Sequence, residues 1–372
     1  MRLIETAGSS KGARPSGVGP YLALQGLRAA AAFLVVVDHA LIAGTDTGLL
    51  GAEFRPFAAF VGLLGVYVFF VISGVVMMLG HGGDFGRPGA GLRFAARRVS
   101  RIVPLYWLAT ILVVLLRPNS ASLAKFIKSL LFIPHQMTGG PYGWPLYPLG
   151  WTLQYEMLFY LLFALALGFG RRLGLALLAG AILLLALAAA AGLLGTHTIP
   201  AFFGHPVILY FLAGIGIGLA VPRLLAGSRW TPGFGTALAL ACAPLAAACA
   251  VAFRYGAQSL SALAAAAVAA MLAVAVCALH GPSTPDTRWR KLAHALGDAT
   301  YSIYLTHAFV VFGFGRLVAR SGLDLPFVLF LPAAMAASAL VGLAIYRWLE
   351  RPLVRALGRL LGQRPGIGGR PV

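Results

Sequence analysis

The chain has 372 residues, 60% of them hydrophobic and only 10% charged. A soluble globular domain carries about 25% charged residues, so the composition excludes one and calls for a polytopic membrane bundle. The formal net charge of +19 is scattered between apolar runs, with no basic stripe carrying interleaved aromatics. That pattern excludes a nucleic-acid partner and fits cytoplasmic loops enriched in Lys and Arg.

Residues 1–20 lack a continuous apolar core and read as a flexible cytoplasmic tail rather than a cleavable signal peptide. Ten apolar segments follow, near 22–43, 59–79, 101–117, 151–168, 173–194, 206–221, 235–253, 259–280, 297–318 and 326–346. Each is long enough to span, so the expected fold class is all-α, a polytopic integral membrane bundle of about ten transmembrane helices. With the N-terminus inside, 21 of the 29 Lys and Arg residues fall on cytoplasmic segments and seven outside, with Arg28 at a boundary. That bias predicts ten spans with both termini in the cytoplasm. The Gly-rich sixth segment, LAGIGIGLA, suits close helix packing. Between the third and fourth spans, residues 118–150 form a long outside connection with an amphipathic stretch (SLAKFIKSLLFIPH) and an aromatic one (QMTGGPYGWPLYPLG). It is expected to lie at the interface beside the bundle. Residues 356–372 read as a second flexible cytoplasmic tail, leaving 21–355 as the membrane domain. Cys242, Cys249 and Cys277 lie in apolar runs without metal-ligand spacing and read as small buried hydrophobes, and no metal site is expected.

Ionisable groups within such segments are costly and mark candidate sites. In LQGLRAAAAFLVVVDHA, Arg28 and His39 are eleven residues apart, about three turns, so they share one face roughly 16 Å apart along the axis. Arginine offers a fixed charge for phosphates and histidine a general base near neutral pH. A snorkelling arginine and a histidine bonded across helices account for the same residues without chemistry. Asp38 points about 100° away and either orients His39 or serves another contact.

In FAARRVSRIVPLYW, Arg97, Arg98 and Arg101 stand at the cytoplasmic start of the third span. They serve topology, or they bind a phosphorylated donor in fork geometry. In GWTLQYEMLFYLLF, Trp151 is expected to mark the outer interface, with Glu156 about 7 Å below it in the same outer half as His39. In DATYSIYLTHAFVV, Ser302 and His307 read as a structural hydrogen-bonded pair or as support for a catalytic site. IYRWLERPLVR reads as a helix exit, with Glu350 pairing to local arginines.

Seven stretches occur in an order that resembles the membrane acyltransferase 3 family: GLRAAAAFLVVVDHA, FFVISGVVMM, RFAARRVSRIVPLYWLATIL, SLLFIPH, GWTLQYEMLFY, YSIYLTHAFVV and YRWLERPLVRAL. The likeness runs from about Leu22 to Arg355. The GWTLQYEMLFY form resembles the branch associated with bacterial exopolysaccharide and O-antigen acylation. The resemblance implies that His39 is the essential base, with Arg28 as its partner in the family's first motif. It also implies donor-binding roles for Arg97, Arg98 and Arg101, and a tryptophan-to-glutamate motif at Trp151 and Glu156. Two departures stand out. Asp38 replaces the aromatic or small residue that more often precedes the histidine, and the esterase-like domain that some members append is not expected after the tenth span. Transfer is therefore expected to finish in the membrane domain or on a separate protein.

Two function classes compete. A transporter or flippase of a glycan precursor would line its path with the same charges, but no internal repeat supports it. An O-acyltransferase fits better, with arginines at a cytoplasmic donor end and His39 and Glu156 at an outer acceptor end. There His39 either deprotonates the acceptor hydroxyl or first takes the acyl group as an acyl-histidine, and Glu156 orients the imidazole or binds the sugar. Its expected donor is acyl-CoA, in the form of acetyl-CoA, as a substrate rather than a permanently bound cofactor. Its expected acceptor is a glycan or lipid-linked sugar, and its expected site is the bacterial cytoplasmic membrane.

Overall fold

The computed structural model describes residues 21–117, 122–136, 142–227, 231–323 and 325–360. The expected tail at 1–20, and the part of the expected C-terminal tail beyond 360, lie outside the described residues. The helices in chain order are α1 (Leu22–Asp46), α2 (Arg55–His81), α3 (Ala90–Leu116), α4 (Leu123–Leu130), α5 (Gly150–Ala166), α6 (Arg171–Ala190) and α7 (Ile199–Phe203). They continue with α8 (Leu209–Gly227), α9 (Phe234–Tyr255), α10 (Leu260–Leu279), α11 (Arg288–Asp298), α12 (Thr300–Ser321) and α13 (Phe327–Ile345). A π-helical turn, Tyr346–Glu350, then leads into α14 (Arg351–Leu360), so helix continues past the expected boundary at 355. Among the described residues the only extended pairing is a single antiparallel bridge between Gln136 and Tyr142. The fold is an all-α membrane bundle.

Nine helices among the described residues are long and apolar enough to cross a membrane, and they correspond to nine of the ten expected spans. The other, α5, has only 17 residues. In the centre, α1 packs against α2, α11, α12 and α13, while α2 packs against α8 and α10. Small residues permit this closeness. A Cβ on Gly214 of α8 would lie 2.1 Å from the Val71 carbonyl of α2, so the Gly-rich sixth segment does bring two helix backbones into contact. Cysteine burial is uneven: Cys277 is buried and Cys249 partly so, but Cys242 is exposed, contrary to the expected burial of all three. An outward-facing position on a membrane helix favours a small apolar side chain as readily as a core position does.

The stretch before α5 departs most from expectation. Rather than lying beside the bundle, it folds into it, and Leu146, Tyr147 and Leu149 are buried. The Leu146 N–H donates to Ser129 Oγ at 2.9 Å, Tyr106 Oη of α3 donates to the Ser129 carbonyl, and Tyr147 Oη donates to the Leu305 carbonyl at 2.5 Å. Irregular backbone at this depth is tolerated because protein groups satisfy it. The first turn of α5 lies against the start of α12: Tyr304 Oη donates to the Leu149 carbonyl at 2.9 Å and meets Thr152 Oγ1 at 2.7 Å. Trp107 Nε1 donates to the Leu130 carbonyl, so α4 ends well short of the far end of α3 at Leu116. The expected fourth span is thus a broken crossing, with α4 and an irregular segment feeding a short α5.

Candidate functional site

His39 sits on α1 with its Nδ1–H donating to the Val35 carbonyl at 3.0 Å. A carbonyl only accepts, so Nδ1 carries the proton and Nε2 keeps the lone pair that a general base needs. Asp38 Oδ2 lies 3.4 Å from the same Nδ1, so the aspartate does approach the histidine despite its angular offset. Its other oxygen, Oδ1, is buried without a hydrogen-bond partner. Gly62 of α2 makes room for it, because a Cβ there would lie 2.1 Å from Asp38 Oδ2. On the far side stands His307 of α12, fully buried, its ring edge-on to His39 with centroids 4.9 Å apart. Phe312 closes the cage at 5.9 Å.

The arginines form a second group nearer the start of α1. Arg28 Nη1 donates to Gln25 Oε1 at 3.2 Å. The Arg98 guanidinium lies over two rings, 5.3 Å from the Phe94 centroid and 5.4 Å from that of Tyr160, and its Nε is buried without a partner. Arg97, Arg98 and Arg101 lie inside α3 rather than in a loop. Among the described residues, none of Arg28, Arg97, Arg98 and Arg101 has a carboxylate within 4.0 Å. Partly buried cations without ion pairs can take up an anion.

Glu156 belongs to this arginine group and not, as expected, to an outer half shared with His39. Its Oε1 accepts from Ser73 Oγ of α2 at 2.9 Å and from Tyr160 Oη at 3.2 Å, and Arg28 and Arg98 act on it electrostatically. The reason is the broken crossing. Trp151, half-buried and edge-on to Tyr155, opens a helix that begins against the first turns of α12, so counting down from it does not measure depth from the outer face.

Ser302 and His307 do not bond to each other. Ser302 Oγ donates to Glu350 Oε2 at 2.5 Å, and His307 Nδ1 donates to the Tyr304 carbonyl of its own helix at 2.7 Å. Glu350 is therefore not a surface residue paired to local arginines. It is 4% exposed, and the π-helical turn carries it against Ser302. At the adjoining end of α11, Asp298 lies 3.2 Å from His294 Nδ1, and burial pushes its carboxyl above the usual range against the opposing pull of His294, Arg28 and Arg101. Sequence reasoning overlooked Ser73, Tyr160 and Tyr304. All three lie within quoted motifs, but a lone hydroxyl on an apolar helix gives no signal of which carboxylate or carbonyl it will meet.

A family model described as an acyltransferase domain matches residues 21–347. The exopolysaccharide production protein ExoZ of Rhizobium meliloti (strain 1021) is 34% identical over 319 residues, covering 83% of this chain and 95% of that protein. No solved structure matches the chain. The family model covers most of the bundle, including every arginine, histidine and carboxylate of the two groups except Glu350, and the chain belongs to the membrane acyltransferase 3 family.

Proposed function

We propose that this acyltransferase is a multi-pass protein of the bacterial cytoplasmic membrane, with both termini in the cytoplasm and residues 21–355 as the catalytic domain. It moves an acetyl group from cytoplasmic acetyl-CoA to a hydroxyl of an exported or cell-envelope polysaccharide. The observation that carries this reading is the separation along α1. Arginines without ion pairs stand at one end, and a histidine with a free Nε2 lone pair lies eleven residues away. The likeness to the exopolysaccharide production protein of Rhizobium meliloti supports a polysaccharide acceptor.

In this reading Arg28, Arg97, Arg98 and Arg101 bind the donor phosphates, and the pantetheine arm carries the thioester along the bundle towards His39. His39 Nε2 takes the proton of the acceptor hydroxyl while the oxygen attacks the thioester carbonyl carbon. The new C–O bond forms, the C–S bond breaks, and the proton passes from His39 to the departing thiolate. Asp38, beside Nδ1, favours the charged ring while it holds that proton. Glu156 acts at the donor end, where it balances and orients Arg28 and Arg98. The exposed face of Trp144, in the segment leading to α5, suits the apolar side of a sugar ring, whether the acceptor arrives as polymer or as a flipped lipid-linked precursor.

The test uses the protein in nanodiscs, which open both faces to solution, with radiolabelled acetyl-CoA and the polysaccharide of the producing cell. Label released from the glycan by mild alkali is the expected result, since O-esters are alkali-labile. Label found only in lipid, with none in glycan, would overturn the acceptor.

A further inference from the structure

Resting on the reading of His39 as the base, we propose that His307 is a positioning residue that holds the His39 ring edge-on and stabilises the imidazolium formed during transfer. His307 is fully buried, so it is shut off from a substrate, whereas the His39 side chain keeps 17% exposure. The two rings meet at 85°, and Phe312 touches the other side of His39 at 78°, so His39 sits in a cage that fixes its plane. Of the two rings against His39, only that of His307 carries polar atoms. The donation from His307 Nδ1 to the Tyr304 carbonyl sets the tautomer and leaves Nε2 as a lone pair, and that atom is buried with no hydrogen-bond partner.

A buried acceptor without a donor is costly and is retained where it serves another state of the site. That state arises when His39 takes the acceptor proton. The ring becomes a cation, and the neutral imidazole of His307, with its centroid 4.9 Å away, offers it a neighbouring electron-rich ring with an unshared lone pair. No proton moves to His307; it stays on His39 until the thiolate collects it. Asp38 from α1 supports the same charge, and Tyr304, on the helix of His307, anchors the tautomer. A phenylalanine at 307 would keep the ring and lose both the anchor and the lone pair.

Steady-state kinetics in nanodiscs would compare the wild type with His307→Phe, His307→Gln and His39→Ala. His307→Phe should accumulate, keep the KM for acetyl-CoA, and lose at least tenfold in kcat. His307→Gln, whose amide both donates to a carbonyl and presents an acceptor, should regain at least threefold over the Phe variant. Wild-type kcat in His307→Phe, or equal losses in Phe and Gln, would overturn the role. If the Phe variant does not accumulate, His307→Asn decides. Its short amide still reaches its own helix backbone but not His39, so a tenfold kcat loss at unchanged KM supports the role and full activity overturns it. Activity retained in His39→Ala would instead defeat the assignment of the base, which separates the two failures.

Discussion

Removing the Arg98 guanidinium should weaken acetyl-CoA binding by a calculable amount. Arg98 stacks on Phe94 and Tyr160 and has no carboxylate within 4.0 Å, so its hydrogen-bonding edge is left for a ligand. A hydrogen bond to a charged partner contributes about 1.5–3 kcal/mol. At about 1.4 kcal/mol per tenfold, one lost phosphate contact raises Kd by roughly 10- to 150-fold. Arg98→Lys keeps the charge but loses the planar fork and the stacking, which adds about 0.5–2 kcal/mol across such faces. Lysine should therefore restore only part of the affinity. Isothermal calorimetry of acetyl-CoA with the purified protein in nanodiscs would measure all three forms. Wild-type Kd in Arg98→Ala would refute the donor site, and full restoration by lysine would refute the argument from geometry.

The remaining predictions follow from the same two groups. Glu156→Gln removes a negative charge beside Arg28 and Arg98, so kcat should fall at least tenfold while acetyl-CoA binds as well as before or better; loss of donor binding would show the carboxylate to contact the donor directly. Gly62→Val forces atoms into the space held by Asp38, and overpacking of this kind costs about 1–3 kcal/mol. Thermal unfolding in detergent should register the loss, and an unchanged midpoint would contradict the tight α1–α2 approach. For topology, a cysteine at Gly83, on the exposed turn between α2 and α3, should resist a membrane-impermeant thiol reagent applied to intact cells. Strong labelling there would invert the assigned orientation.

Membrane class, nine of the ten expected spans and the Arg28–His39 spacing were legible because hydropathy and helical rise act locally along one chain. What stayed hidden depended on depth and on partners. Trp151 looks like an interfacial anchor in sequence, since an aromatic, Gly- and Pro-rich run has the same composition at a membrane surface as in a segment folded into the bundle. Only the bonds of Tyr147 and Tyr304 to backbone carbonyls set its level, and Glu156 moved with it to the arginines. Glu350 was misread for a related reason. Four arginines surround it in sequence, from Arg347 to Arg359, but the π-helical turn carries its side chain against Ser302, 48 positions earlier. The position of Asp38, left open by angle alone, follows from the missing side chain at Gly62, which gives its carboxylate room 3.4 Å from His39 Nδ1.

The most direct test of the account is mass spectrometry of the exported polysaccharide from a strain lacking the gene and complemented with either the wild type or His39→Ala. General-base loss costs about 10² to 10⁴ in rate, so the wild type should restore an O-linked acetyl group and His39→Ala, present in the membrane at equal amount, should leave the glycan bare. A fully acetylated glycan from the His39→Ala strain would contradict the account.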